Sequence, residues 1–162
     1  MASPRATSTL SSVLARCRAS VHPRPGVTVR LELSHCLYLS RLSGNLGDTG
    51  LRDLLKQARE NNGARAITGA LLFDGERFIQ LVEGPTAAID VLARCLRDDS
   101  RHHGFTVLGE GPVAARRHRR WTAGYVEIDR VDEFERAVAD GGGETEAVLA
   151  AFDRLLATAD VE

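Results

Sequence analysis

Gln80 lies in the run Phe78-Ile79-Gln80-Leu81-Val82, where a side-chain amide is chemically out of place. Strand alternation puts it on one face with Phe78 and Val82, and turns Ile79 and Leu81 the other way. On a covered face its carbonyl and two N–H groups need partners. Such an amide is either satisfied by backbone and water or offered to a ligand. Tyr38 sits in a second apolar run, Leu37-Tyr38-Leu39. Its ring suits a core, but its hydroxyl needs an acceptor. Asn62 closes a helical pattern at Asn61-Asn62-Gly63, either as a plain C-terminal cap or as an amide held at the rim of a pocket. Arg101-His102-His103 follows a second helical pattern. There it serves the helix dipole or receives a ligand anion. The run Arg116-Arg117-His118-Arg119-Arg120 precedes Trp121. It reads first as a solvated charge run and second as a phosphate or nucleic-acid patch.

The chain contains no H-E-x-x-H, G-x-G-x-x-G, P-loop or nucleophile-elbow motif. Phenol, amides and indole without an activated nucleophile or a metal cage point to ligand recognition rather than turnover. The expectation is therefore a protein that is not an enzyme and holds no metal.

These groups need elements to position them. Residues 34–40 read as a strand with His35, Leu37 and Leu39 on one face and Cys36, Tyr38 and Ser40 on the other. Gly44 to Gly47 reads as a loop, and Asp48 or Thr49 as the cap of a helix carrying Leu51, Leu54, Leu55 and Ala58. Gly63 can end that helix in the left-handed conformation. Ala66 to Phe73 is nearly all apolar, as in a strand covered on both faces. Asp74-Gly75 signals a hairpin, and Arg77 to Glu83 is its return strand. Gly84-Pro85 opens a second helix, with Pro85 in its first turn and Ala88, Ile89, Leu92, Cys95 and Leu96 on its inner stripe. Residues 105–109 and 121–128 complete the strands. The order β-α-β-β-α-β-β implies an α+β, ferredoxin-like split βαβ plan: a mixed sheet with two helices on one face. In that plan the first strand pairs with the strand carrying Gln80, so Tyr38 and Gln80 can meet. Gly141-Gly142-Gly143 separates two acidic C-terminal helices, the second spanning 144–157. Its stripe of Val148, Leu149, Phe152, Leu155 and Leu156 must bury against the sheet or a partner.

The net charge of −1 hides an asymmetry: residues 1–30 carry +5, residues 31–126 carry +2 and residues 127–162 carry −8. A uniformly basic nucleic-acid binder is disfavoured. No apolar run reaches the ~20 residues of a membrane helix. Cys17, Cys36 and Cys95 show no C-x-x-C spacing and cannot all pair, so neither a disulfide framework nor a zinc site is expected, and the cytoplasm is the default compartment. The Arg- and Ser-rich opening is also what a transit peptide looks like, but it reads better as a disordered extension. Three segments result: an extension over 1–33, a folded domain over 34–128 and a helical appendage over 129–162.

Several ordered pieces together resemble a known family. They are Tyr38 in Cys-Leu-Tyr-Leu-Ser, Asn62 in Ala-Arg-Glu-Asn-Asn, Ile67-Thr68-Gly69, Phe78-Ile79-Gln80-Leu81-Val82-Glu83-Gly84, Arg97-Asp98-Asp99-Ser100-Arg101-His102, and Trp121. Over roughly residues 34–128 the chain resembles the BLUF domain, a blue-light sensor that uses flavin. The resemblance implies a non-covalent FAD between the two helices and the sheet, with Gln80 and Asn62 on the polar edge of its ring and Tyr38 hydrogen-bonded to Gln80. Arg101 and His102 match a segment lining the pocket, and Trp121 matches a residue beside it. In the family, blue light moves an electron and a proton from the tyrosine and back, leaving the glutamine amide rearranged or tautomerised. The implied output is a separate partner protein or a change of oligomer packing.

Two positions depart from the family pattern. Ala123 stands where Trp-x-Met is common, and His118 stands where an aromatic residue is usual. Both leave flavin binding expected and put the relay of the signal in question. Three rival readings remain, of which a flavoenzyme has no acid/base pair or nicotinamide site to support it. A ferredoxin-like interaction module without cofactor would be colourless. A binder of RNA-recognition type would stack bases on Tyr38 and Phe78, against which stand an aromatic content of only 5% and the acidic tail.

Overall fold

The computed structural model describes residues 32–44 and 47–161. The extension expected over 1–33 therefore lies almost wholly outside the described residues. The elements are β1 (Leu33–Leu42), α1 (Gly47–Gly63), β2 (Thr68–Phe73), β3 (Arg77–Pro85) and α2 (Thr86–Arg97). They continue with β4 (His102–Val113), β5 (Trp121–Tyr125), α3 (Ile128–Asp140), α4 (Thr145–Leu156) and β6 (Asp160–Val161). The six strands form one mixed sheet in the order β4-β1-β3-β2-β5-β6. β1 runs antiparallel to β3 and β4, β3 antiparallel to β2, and only β2 and β5 are parallel. This is the expected α+β plan with one extra strand.

The strand alternation read from sequence sorts the side chains into two layers. Cys36, Tyr38 and Val82 pack under Ile89, Leu92 and Leu96 of α2. Beside them Leu71, Phe73, Phe78 and Ala123 pack under Leu51, Leu54 and Leu55 of α1. The opposite face presents Leu37, Leu39, Leu72, Ile79 and Leu81 to Val131 and Phe134 of α3 and to Val148, Leu149, Phe152 and Leu155 of α4. The C-terminal helices thus bury their stripe against the sheet, at about 2 kcal/mol for each fully covered Leu or Phe. β3, at the centre, is buried from Arg77 to Gly84.

Several boundaries differ from the sequence reading. α1 begins at Gly47, so Asp48 and Thr49 fall in its first turn instead of capping it. Gly63 is not left-handed; the chain reverses by way of Ala66, whose φ is 54°, before β2 starts at Thr68. Pro85 keeps an extended ψ of 130° and precedes α2, so it caps the helix from outside. β4 is longer than expected because its whole length pairs with β1. β5 stops at Tyr125, and β6 pairs with its end. Cys36 is a free, buried thiol. Among the described residues no helix is long and apolar enough to cross a membrane, and no His/Cys/Asp/Glu cluster could hold a metal ion.

The β2–β3 hairpin is locked by charge. Asp74 Oδ1 accepts the N–H groups of Glu76 and Arg77 at 2.9 and 2.6 Å, closing a turn in which Gly75 takes φ 103°. The buried Arg77 guanidinium donates to Asp74 Oδ2, Asp132 Oδ1 and Glu135 Oε2, each at 2.7 Å, and to the Ile128 carbonyl at 3.2 Å. One cation thereby pins α3 to the hairpin. The Arg77→Met protein should lose about 2 kcal/mol of stability, less than a fully buried pair because Asp132 and Glu135 are partly solvated. A thermal melt followed by circular dichroism should show a midpoint several degrees lower, with Arg77→Lys in between.

Candidate functional site

Tyr38 on β1 and Gln80 on β3 are direct cross-strand partners. Both point under the helices, with 3% and 5% of their surface exposed. The Tyr38 hydroxyl donates to Gln80 Oε1. Burial raises the Tyr38 pKa well above its ordinary value, so the phenol stays a neutral donor. The Tyr38 ring also lies against Phe105 of β4, with centroids 4.6 Å apart.

Above this pair opens a cleft between the sheet, α1 and α2. Its walls are apolar at Leu54, Leu71, Phe78, Leu92 and Leu96. Five of the six residues singled out from sequence line it: Tyr38, Asn62, Gln80, Arg101 and His102. Asn62 is 2% exposed. Its backbone carbonyl accepts the N–H groups of Arg65 and Ile67 at 3.1 and 2.9 Å. The carbonyl thus helps end α1, and the residue lines the cleft.

Arg101 is held by Asp99: its Nε lies 2.9 Å from both carboxylate oxygens, and its Nη2 donates to Oδ2. Burial alone would raise the Asp99 pKa, but the Arg101 hydrogen bonds and charge bring it below its ordinary value. His102 is pushed toward the neutral form by burial, against the pull of Asp99. His103 is outside the cleft, 3.1 Å from Ser43 Oγ. Trp121 is not brought to the cleft wall. It is half-buried between the two helix-covered clusters, and its indole Nε1 is buried without a partner among the described residues.

The sequence reading missed Ser40, Gln57, Asn61, Arg65 and Asp99 as lining residues. Ser40 was within reach, since it shares the alternating face of Tyr38. Its hydroxyl and His102 Nδ1 are buried in the cleft wall without a partner among the described residues. Polar atoms cost free energy when buried unsatisfied. A cleft with apolar walls, two orphaned polar atoms and several amide residues in its lining suits a flat, largely apolar ligand with a polar edge. A flavin ring fits that description.

The comparisons agree. The family described as "Sensors of blue-light using FAD" (BLUF) matches residues 33–124, and the chain belongs to it. BlrB, a BLUF protein solved in its dark state, superposes with a TM-score of 0.61 at 27% identity, covering 78% of this chain and 96% of that one. Photoactivated adenylate cyclase subunit beta of Euglena gracilis is 29% identical over 101 residues, 62% of this chain and 12% of its own length. The blue light- and temperature-regulated antirepressor BluF of Escherichia coli K12 is 29% identical over 76 residues, 47% of this chain and 19% of its own length. This chain therefore spans only a small part of those two relatives.

The fold gains from keeping the Tyr38 phenol protonated. Its folded pKa lies above the ordinary 10.0, so this contribution is complete below pH 10 and is lost as pH rises through the folded value. In a Tyr125→Phe background, which leaves Tyr38 as the one tyrosine, the near-ultraviolet tyrosinate band should appear only well above pH 10, together with loss of the fold. A reversible band near pH 10 in the folded protein would contradict the buried, neutral phenol.

Proposed function

We propose that this chain is a blue-light photoreceptor that holds FAD non-covalently in the cleft and signals through the hydrogen bonds around Gln80. The observation that carries the reading is the Tyr38–Gln80 bond at the base of the cleft. A buried phenol is aimed at the amide oxygen of Gln80, with Asn62 on the same cleft. When bound, the flavin supplies blue-light absorption and an excited state able to take up an electron. Gln80 and Asn62 would hold its polar edge, and Ser40 and His102 would gain partners for their orphaned atoms. Arg101, fixed by Asp99, would line the approach.

In the dark Tyr38 Oη keeps its proton and donates it as a hydrogen bond to Gln80 Oε1. The amide has a second arrangement, reached by turning over about its last torsion or by tautomerising. In the latter, Oε1 gains a proton and Nε2 gives one up. Either arrangement exchanges donor and acceptor at the tip of Gln80. A donor newly presented to the pigment strengthens its hydrogen bonding and lowers the transition energy, giving a small red shift. The domain is the sensor, and no turnover of its own is proposed. The output goes to a partner protein or to a second copy, as a shift between two packings.

The purified protein should be yellow, and acid-released pigment should be FAD rather than FMN in about one-to-one amount. Blue light should produce a reversible red shift. Gln80→Leu is near in volume and should keep the flavin while losing the shift. Tyr38→Phe should also bind flavin and fail to form the ordinary lit state. A protein that stays colourless when given FAD would favour the cofactor-free interaction module.

A further inference from the structure

The first half of the arginine run between β4 and β5 is tied to the fold, while Arg119 and Arg120 are exposed as a solvated charge run would be. Arg116 donates through Nη1 to the Glu83 carbonyl at 2.7 Å and to Thr68 Oγ1 at 2.9 Å, and through Nη2 to the Ala66 carbonyl at 2.6 Å. The Glu83 side chain, 1% exposed, accepts the backbone N–H of Arg117 on Oε1 at 2.9 Å and that of His118 on Oε2 at 2.8 Å. Outward from this staple, the Arg117 guanidinium reaches α4, pairing with Asp153 Oδ2 at 3.0 Å and with Glu146. The His118 ring meets Phe152 of α4 edge-on with centroids 6.3 Å apart, and its Nε2 lies 3.5 Å from Asp153 Oδ1.

Glu83 and Gln80 stand on the same strand, three residues apart and on opposite faces. Gln80 faces the cleft, while Glu83 holds the loop that grips α4. Meanwhile Ala123, where the family pattern carries methionine, is buried among Leu51, Leu71, Phe73 and Phe78 on the cleft side. It belongs to the α1 layer and not to the layer of α3 and α4.

We propose that Arg117 is a positioning residue that couples β3 to α4, and that the strap from Glu83 through the 117–118 backbone to Asp153 and Glu146 yields at its outer end on illumination. The proposal rests on the photoreceptor reading above. The two ends differ in kind. Both Glu83 oxygens are buried and engaged, so a displacement of β3 at Glu83 carries the loop with it. The outer pairs are partly wet, with side-chain exposures of 31% for Arg117, 40% for Asp153 and 78% for Glu146. Such pairs are weak and salt-screened.

The test is hydrogen exchange of the α4 backbone in the flavin-loaded chain, in the dark and under blue light, for the parent, Arg117→Gln and Arg117→Lys. In the parent, exchange in α4 should rise severalfold on illumination. Arg117→Gln should show the raised rate already in the dark, no further rise in light and a red shift of parental size. Arg117→Lys should restore part of the dark protection. Raising salt from about 50 mM to about 500 mM should move the parent toward the glutamine variant. A normal red shift with α4 exchange indifferent to Arg117 overturns the strap alone. A parent with no red shift overturns the photoreceptor reading and this proposal with it.

Discussion

A phenol and an amide buried side by side in the middle of a sheet constrain everything around them. Neither Tyr38 nor Gln80 can look to bulk water, so each must find partners within the fold or in a ligand. The hydroxyl has one in Gln80 Oε1. That pairing exists because β1 and β3 are adjacent and in a register that sets residue 38 opposite residue 80. A slip of one residue in either strand would turn that strand's tip to the α3–α4 face, among Leu37, Ile79 and Phe152, and part the pair. The register is pinned by two hydrophobic layers, one on each face, so the site depends on α3 and α4 even though they do not touch the cleft.

β3 carries the burden of this arrangement. One face holds Phe78, Gln80 and Val82 toward the cleft helices, and the other holds Ile79, Leu81 and Glu83 toward the C-terminal half. Its ends are held by ions: Arg77 gathers Asp74, Asp132 and Glu135, and Glu83 gathers the main chain of Arg117 and His118. Gly69 on the neighbouring β2 has φ 141°, and a Cβ there would sit 2.0 Å from the Leu81 carbonyl oxygen. The close approach of β2 to β3 thus requires a glycine at the end of the Ile67-Thr68-Gly69 motif.

What could be read from the sequence was what is local and periodic. Alternation assigned Tyr38 and Gln80 to one face, and the split βαβ order made them neighbours. Helical spacing gave the inner stripes of α1, α2 and α4. What could not be read was what depends on a distant partner. Arg116 and Arg117 looked like surface charge because carboxylates and carbonyls 29 to 50 residues away are invisible to a local window. Ala66 was placed in a strand because an apolar residue carries no mark of a positive φ. β6 has only two residues and forms because β5 offers it an edge. Trp121 came from the family resemblance, and here its ring sits between the clusters instead of on the cleft wall.

The two departures from the family pattern, at His118 and Ala123, look unrelated in sequence and lie on opposite faces of the sheet in space. A small residue at 123 leaves β5 with little to say to the α1 layer beyond filling it. The imidazole at 118 meets Phe152 edge-on, and the arginine before it gives the far face its ionic contact with Asp153 and Glu146. Dispersion contacts in a packed core are short-ranged, whereas a guanidinium between two carboxylates is held by charge that acts over a longer distance and is screened by salt. The link from Arg117 to α4 is of the second kind, and it is open to solvent ions because its acceptors on α4 are the wettest members of the network.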